Sequence, residues 1–216
     1  MKQFFSFDGS LFRFLSRIFD LIVLNILFII TSIPVFTIGA GISAMSCLLT
    51  QMNRGQENYI FREYFALFRK YIKKATLPWL LFLSLSLFLT FDINLFIGMG
   101  MTRVFRLFLY FLGLILLFIQ MYFFPDLVWK GNGFRKTTED SAVISIRFLP
   151  LSLLMAALIV APPIIFTRYF PDYFYPYLLF MAMIGFSSIG SINAFITGHV
   201  YKKEIDQQLG LPFTSG

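Results

Sequence analysis

Residues 21 to 53 run without an Asp, Glu, Lys or Arg, 33 positions in a row. A helix rises about 1.5 Å per residue, so this run would reach roughly 50 Å. Bilayer hydrocarbon is about 30 Å thick and takes about 20 helical residues. A single straight crossing cannot use the run up. The run also contains Pro34, within Ser32-Ile33-Pro34-Val35-Phe36-Thr37-Ile38-Gly39. Proline removes a helical hydrogen bond and disfavours helix in the residue before it. The expectation is two membrane helices joined by a tight break.

Four more long, weakly charged stretches follow: 75–102, interrupted only by Asp92, then 107–125, 148–167 and 173–201. The chain as a whole is 58% hydrophobic and 13% charged, against about 25% charged in a soluble domain. The longest polar segments fall below the roughly 40 residues at which unaided folding becomes difficult. The fold class expected is all-α: one integral membrane domain over residues 1–216, polytopic. It has about six transmembrane helices, the first two a Pro-broken hairpin, plus an interfacial amphipathic helix. The net charge of +7 sits in short loops, so it reads as membrane topology and not as a nucleic-acid surface. The single cysteine, Cys47, rules out an intramolecular disulfide and any metal site built from several cysteines. The N-terminal segment lacks the short apolar core and small-residue cleavage site of a signal peptide, so it is expected to stay attached.

Lys and Arg concentrate in cytoplasmic loops. If residues 21–53 cross once, the basic residues divide 6 against 12; if they form a hairpin, they divide 3 against 15. The hairpin, with six spans and both termini cytoplasmic, obeys the rule better and puts the Pro34 turn at the outer face of the cell membrane. The second helix, 38–53, is then only 16 residues, about 24 Å. Its small residues argue for burial. Gly39, Ser43 and Cys47 recur every fourth position, as do Ala40 and Ala44, a spacing that lets helix backbones approach.

Residues 58–74 are the clearest amphipathic segment. Arg62, Ala66, Arg69, Lys70 and Lys73 share one helical face, with Lys74 beside it; Ile60, Phe61, Tyr64, Phe68, Tyr71 and Ile72 form the opposite face. Such a helix can lie in the headgroup plane with its apolar side down. Arg62, Arg69, Lys70, Lys73 and Lys74 are therefore the candidate surface for a partner or for lipid headgroups.

Elsewhere, helix one is expected over 11–32, with Asp8 or Ser10 as N-cap and an aromatic lead-in before it. A third span is expected over 75–97 and a fourth over 104–124, ending at Pro125-Asp126. Gly131-Asn132-Gly133 signals a turn, and Thr137 opens a second cytoplasmic helix. A fifth span covers 148–167, with Pro162-Pro163 kinking or ending it. A sixth covers 174–199, where Gly190, Ala194 and Gly198 make another small-residue face, and a polar tail follows from Tyr201.

No catalytic, cofactor-binding or metal-ligating constellation emerges. The lone histidine, His199, has no His, Cys or carboxylate at ligand spacing. Walker A, G-x-S-x-G and H-E-x-x-H patterns are absent. Intramembrane Asn25, Gln120 and Asn193 fit interhelical hydrogen bonds better than a conduction path.

Several segments resemble the YesL family, integral membrane proteins of Gram-positive bacteria grouped around a domain of unknown function. They are Asp20-Leu-Ile-Val-Leu-Asn25, Ser32-Ile-Pro-Val-Phe-Thr-Ile-Gly-Ala40, Tyr59-Ile-Phe-Arg-Glu-Tyr-Phe-Ala-Leu-Phe-Arg-Lys70 with Lys73-Lys-Ala-Thr76, and Arg147-Phe-Leu-Pro150. Members are often encoded beside carbohydrate ABC-transporter and polysaccharide-utilisation genes. The resemblance implies an association with sugar uptake. Taken with the missing ATP motif and the amphipathic segment, the expectation is a non-enzymatic accessory or regulatory role with ABC permease subunits as partners; the composition sets the lipid bilayer as environment, and no cofactor or nucleic acid is expected. The alternative is a small transporter or channel acting on its own.

Overall fold

Pro34 does break the long apolar run. The computed structural model describes residues 10–53, 59–98 and 103–208. In it α1 spans Ser10–Ser32, a 3-10 turn occupies Val35–Thr37, and α2 spans Ile38–Asn53. Pro34 is extended, with φ −76° and ψ 108°. The Thr37 hydroxyl sits 2.5 Å from the Thr31 carbonyl and 2.6 Å from that of Pro34. It thereby ties the turn to the end of α1, whose last carbonyls have no helical partner. At the open end of the hairpin, Arg17 donates to the Met52 carbonyl at 3.1 Å and to Asn53 Oδ1. A cation at a helix C-terminus also complements its dipole.

Four further helices follow: α3 over Ile60–Gly98, α4 over Arg103–Lys130, α5 over Phe134–Arg147 and α6 over Leu149–Arg168. The chain then runs through α7 (Phe174–Phe180), a π-helical turn (Met181–Gly185) and α8 (Phe186–Gln208). No strand occurs among the described residues. Six helical stretches are long and apolar enough to cross a membrane. The protein is an all-α, polytopic membrane protein.

Three boundaries differ from expectation. Pro125 lies inside α4, which continues to Lys130, and α5 opens at Phe134, three residues before Thr137. α6 keeps the expected bounds to within one residue at each end, with Pro162-Pro163 inside it. Membrane helices tolerate interior proline because neighbouring groups re-satisfy the freed backbone. The third difference is larger. Residues 60–74 are helical, as expected, but no break separates them from the third span. α3 is one helix of 39 residues, about 58 Å. The charge pattern marks a change of surroundings at Lys74, not a change of backbone. The N-cap expected at Asp8, the aromatic lead-in over 1–9 and the end of the polar tail lie outside the described residues. The rest of that tail is helical, within α8 to Gln208.

The core is built around α2, of whose span 56% is buried, against 33% for the next most enclosed. It runs antiparallel to the first half of α3. Gly39 lies against Ala75 and Trp79, and Leu48, Leu49 and Met52 cluster with Ile60 and Tyr64. Gly39 faces backbone, and a Cβ there would meet the Trp79 Cβ at 2.5 Å and the Ala75 carbonyl oxygen at 2.7 Å. Gly190 of α8 packs against Met45 and Leu49, whereas Gly198 has open space beside it. Phe82, Phe123 and Phe124 join α3 to α4, with edge-on rings 5.2 Å apart for Phe82 and Phe123.

This pairing locates the Pro34 turn. The Trp79 indole donates to the Val35 carbonyl at 2.8 Å. Trp79 lies near the basic end of the apolar half of α3, about 28 Å from its far end at Gly98. The turn therefore packs beside the basic end of the third span and not at its far end, where the sequence reading put it.

Candidate functional site

The five candidate cations lie on the first half of α3, where helix propensity is unopposed: no Gly or Pro occurs from Ile60 to Leu77. Arg62, Arg69, Lys70, Lys73 and Lys74 are all exposed. They therefore share the outward face of one helix, as the spacing predicts. Among the described residues none of the five takes part in an ion pair. Lys70 Nζ lies 5.4 Å from the centre of the Tyr71 ring.

The opposite face is corrected by the structure. Ile60, Tyr64 and Tyr71 are buried, but in protein and not in lipid: α1 and α2 cover the first two, and Tyr71 clusters with Ala40 of α2 and with Phe123, Phe124 and Leu127 of α4. The Thr31 proton goes to the Leu27 carbonyl at 2.9 Å, so Tyr64 donates to Thr31 at 2.6 Å. This bond anchors α3 to α1. Phe61, assigned to the same face by sequence, is 64% exposed.

A second polar arrangement joins α1 to the last span. Asn25 is fully buried. Its amide donates to the carbonyls of Met181 at 3.1 Å and Ala182 at 2.7 Å, and its Oδ1 accepts from the Ser187 backbone N–H at 2.9 Å. A π turn shifts the hydrogen-bond register from four residues to five. Asn25 thus serves backbone groups at and just beyond that irregularity. The expected interhelical bond exists, and its partners are backbone. Gln120 and Asn193 are half-buried, and the Asn193 Oδ1 has no partner among the described residues. His199 is exposed and stacks on Phe195 with ring centres 6.3 Å apart.

At the end of α4 the charge cluster is tighter. Lys130 Nζ lies 3.2 Å from Asp126 and 3.2 Å from Asp140 of α5. Asp126 is fully buried and Asp140 partly so. Sequence reading placed Asp126 at a helix end; the uninterrupted α4 brings it inside, with Lys130 one turn on. Among the described residues no group of three or more His, Cys, Asp or Glu could hold a metal ion.

Residues 21–93 match the model of a family described as a protein of unknown function, DUF624. The match covers about a third of the chain. It takes in the second half of α1, all of α2 and all five candidate cations. No curated protein and no solved structure matches the chain.

Proposed function

We propose that the protein is a non-enzymatic accessory or regulatory component of a carbohydrate ABC-transport system, of the YesL kind. It sits in the cell membrane, with the basic half of α3 and the C-terminus on the cytoplasmic side. The observation that carries this reading is a coincidence of position. The stretch matching the DUF624 model also holds three of the segments that resemble the YesL family. It includes the most enclosed span and presents five exposed cations. A partner-regulating role needs an outward, rigidly mounted surface more than it needs a reactive centre. The row on α3 supplies the surface, and its packing against α2 supplies the mounting.

Affinity capture of the tagged protein from native membranes tests the reading, together with sugar uptake in a deletion strain. Recovery of permease or solute-binding subunits, with uptake lowered in the deletion, is the expected result. Recovery of neither, with normal uptake, refutes it. Sugar flux through the purified protein alone in liposomes would favour an independent transporter instead.

A further inference from the structure

We infer that the outward face of α3 is a binding surface for anionic phospholipid, with Lys70, Lys73 and Lys74 at the phosphate layer of one leaflet. This does not depend on the transport reading above.

The inference rests on how one exposed helix face changes along its length. At 100° per residue, Arg62, Arg69, Lys70, Lys73, Leu77, Leu80, Leu81, Phe88 and Phe91 fall on the same side of α3, and all are exposed. The face is predominantly cationic as far as Lys73, with half-buried Glu63 at its edge, and apolar from Leu77 except for Ser84, whose hydroxyl is bonded to the Leu81 carbonyl; the step is about 6 Å along the axis. From Leu77 to Gly98 the helix covers about 31 Å, close to the thickness of bilayer hydrocarbon. The step therefore marks the edge of the acyl chains, and the three lysines lie within about 10 Å of it.

Two neighbours agree. Trp79 sits at the step with its indole N–H bonded to Val35, and tryptophan favours the membrane interface. The turn it holds exposes Ile33, Val35 and Phe36, each more than half exposed. Apolar side chains there can enter the same leaflet. The lysine row also carries a cost that an anion would relieve. Arg69 with Lys73, and Lys70 with Lys74, are like charges at i,i+4, and none has an ion-pair partner among the described residues. A protein partner could neutralise the charge. It would not explain why the same face continues directly into a lipid-length apolar row.

The test uses the full-length protein in vesicles, with Trp79→Phe and Trp129→Phe removing the native tryptophans and Leu77→Trp placing a single one on the exposed lysine side of α3. Quenching of that tryptophan is measured with dibrominated phosphatidylglycerol and with dibrominated phosphatidylcholine at equal mole fraction. The expected result is a preference for the anionic lipid of at least about three-fold; a surface lysine can contribute up to about five-fold. The triple variant Lys70→Gln, Lys73→Gln, Lys74→Gln should lose that preference while quenching by phosphatidylcholine is unchanged, which shows that the variant still inserts. Arg62→Gln, about 22 Å along the axis from Leu77, should keep it. Equal quenching by the two lipids with the lysines present overturns the inference. So does a preference that survives the triple substitution, including the case in which the lysines prove necessary only for co-purification with another protein.

Discussion

Gly39→Ala adds one methyl group at a tight contact between α2 and α3. Its Cβ would stand 2.5 Å from the Trp79 Cβ and 2.7 Å from the Ala75 carbonyl oxygen, with Phe124 at 3.1 Å. The first two atoms belong to or adjoin the backbone of α3 and cannot swing aside, so α2 and α3 must separate. Overpacking of this kind costs about 1–3 kcal/mol, and rigid neighbours put this site at the upper end. For a chain of this size that is a fall in Tm of roughly 6–12 °C, at about 2–4 °C per kcal/mol. Gly190→Ala is the graded comparison. Its nearest atoms are the mobile ends of Met45 and Leu49, at 2.8 and 2.9 Å, and a cost of about 1 kcal/mol is expected. Gly113→Ala has nothing within 4 Å. It should be neutral or slightly stabilising, because alanine is favoured over glycine in a helix by up to about 1 kcal/mol. Thermal unfolding of the three purified variants in one detergent gives the ranking. If Gly39→Ala melts with Gly113→Ala, the tight α2–α3 contact is refuted.

Asn25→Leu should lower stability by about 2 kcal/mol, from three interhelical hydrogen bonds at on the order of 0.6 kcal/mol each. Deleting one residue within Met181–Gly185, which lets the π turn close as α-helix, should recover part of that loss in the same unfolding assay. A double-mutant cycle on Lys130→Met and Asp140→Asn should read a coupling of about 1 kcal/mol or more, within the range for residues in contact. The same cycle on the exposed pair Arg135–Glu139 should read no more than about 0.5 kcal/mol.

The limits of α2 were legible because Pro34 and the small residues after it are local signals, and local backbone rules decide them. Helix periodicity likewise assembled the cationic row correctly. The junction at Lys74 was not legible, because a change from charged to apolar residues reports solvent and leaves the helix free to continue. The same limit explains Tyr64 and Tyr71. Their apolar face could be covered by lipid or by protein, and only the register of α2 decides between them. Pro125 was misread as a helix end through a rule that holds best where freed backbone groups have no neighbour to meet them. The π turn has no sequence signature of its own. Asn25 was the one trace of it, as a buried amide in need of partners.

The most direct test concerns which end of the third span the hairpin turn accompanies. In a Cys47→Ala background, single cysteines are placed at Ile33, 75% exposed at the turn, and separately at Lys74. Both are treated with an impermeant maleimide, first in intact cells and then in opened membranes. Because Val35 is bonded to Trp79 and α2 lies along the basic half of α3, Ile33 and Lys74 should label from the same side. Labelling of Ile33 from outside the cell while Lys74 is reached only after opening would contradict it, and would place α2 fully across the bilayer.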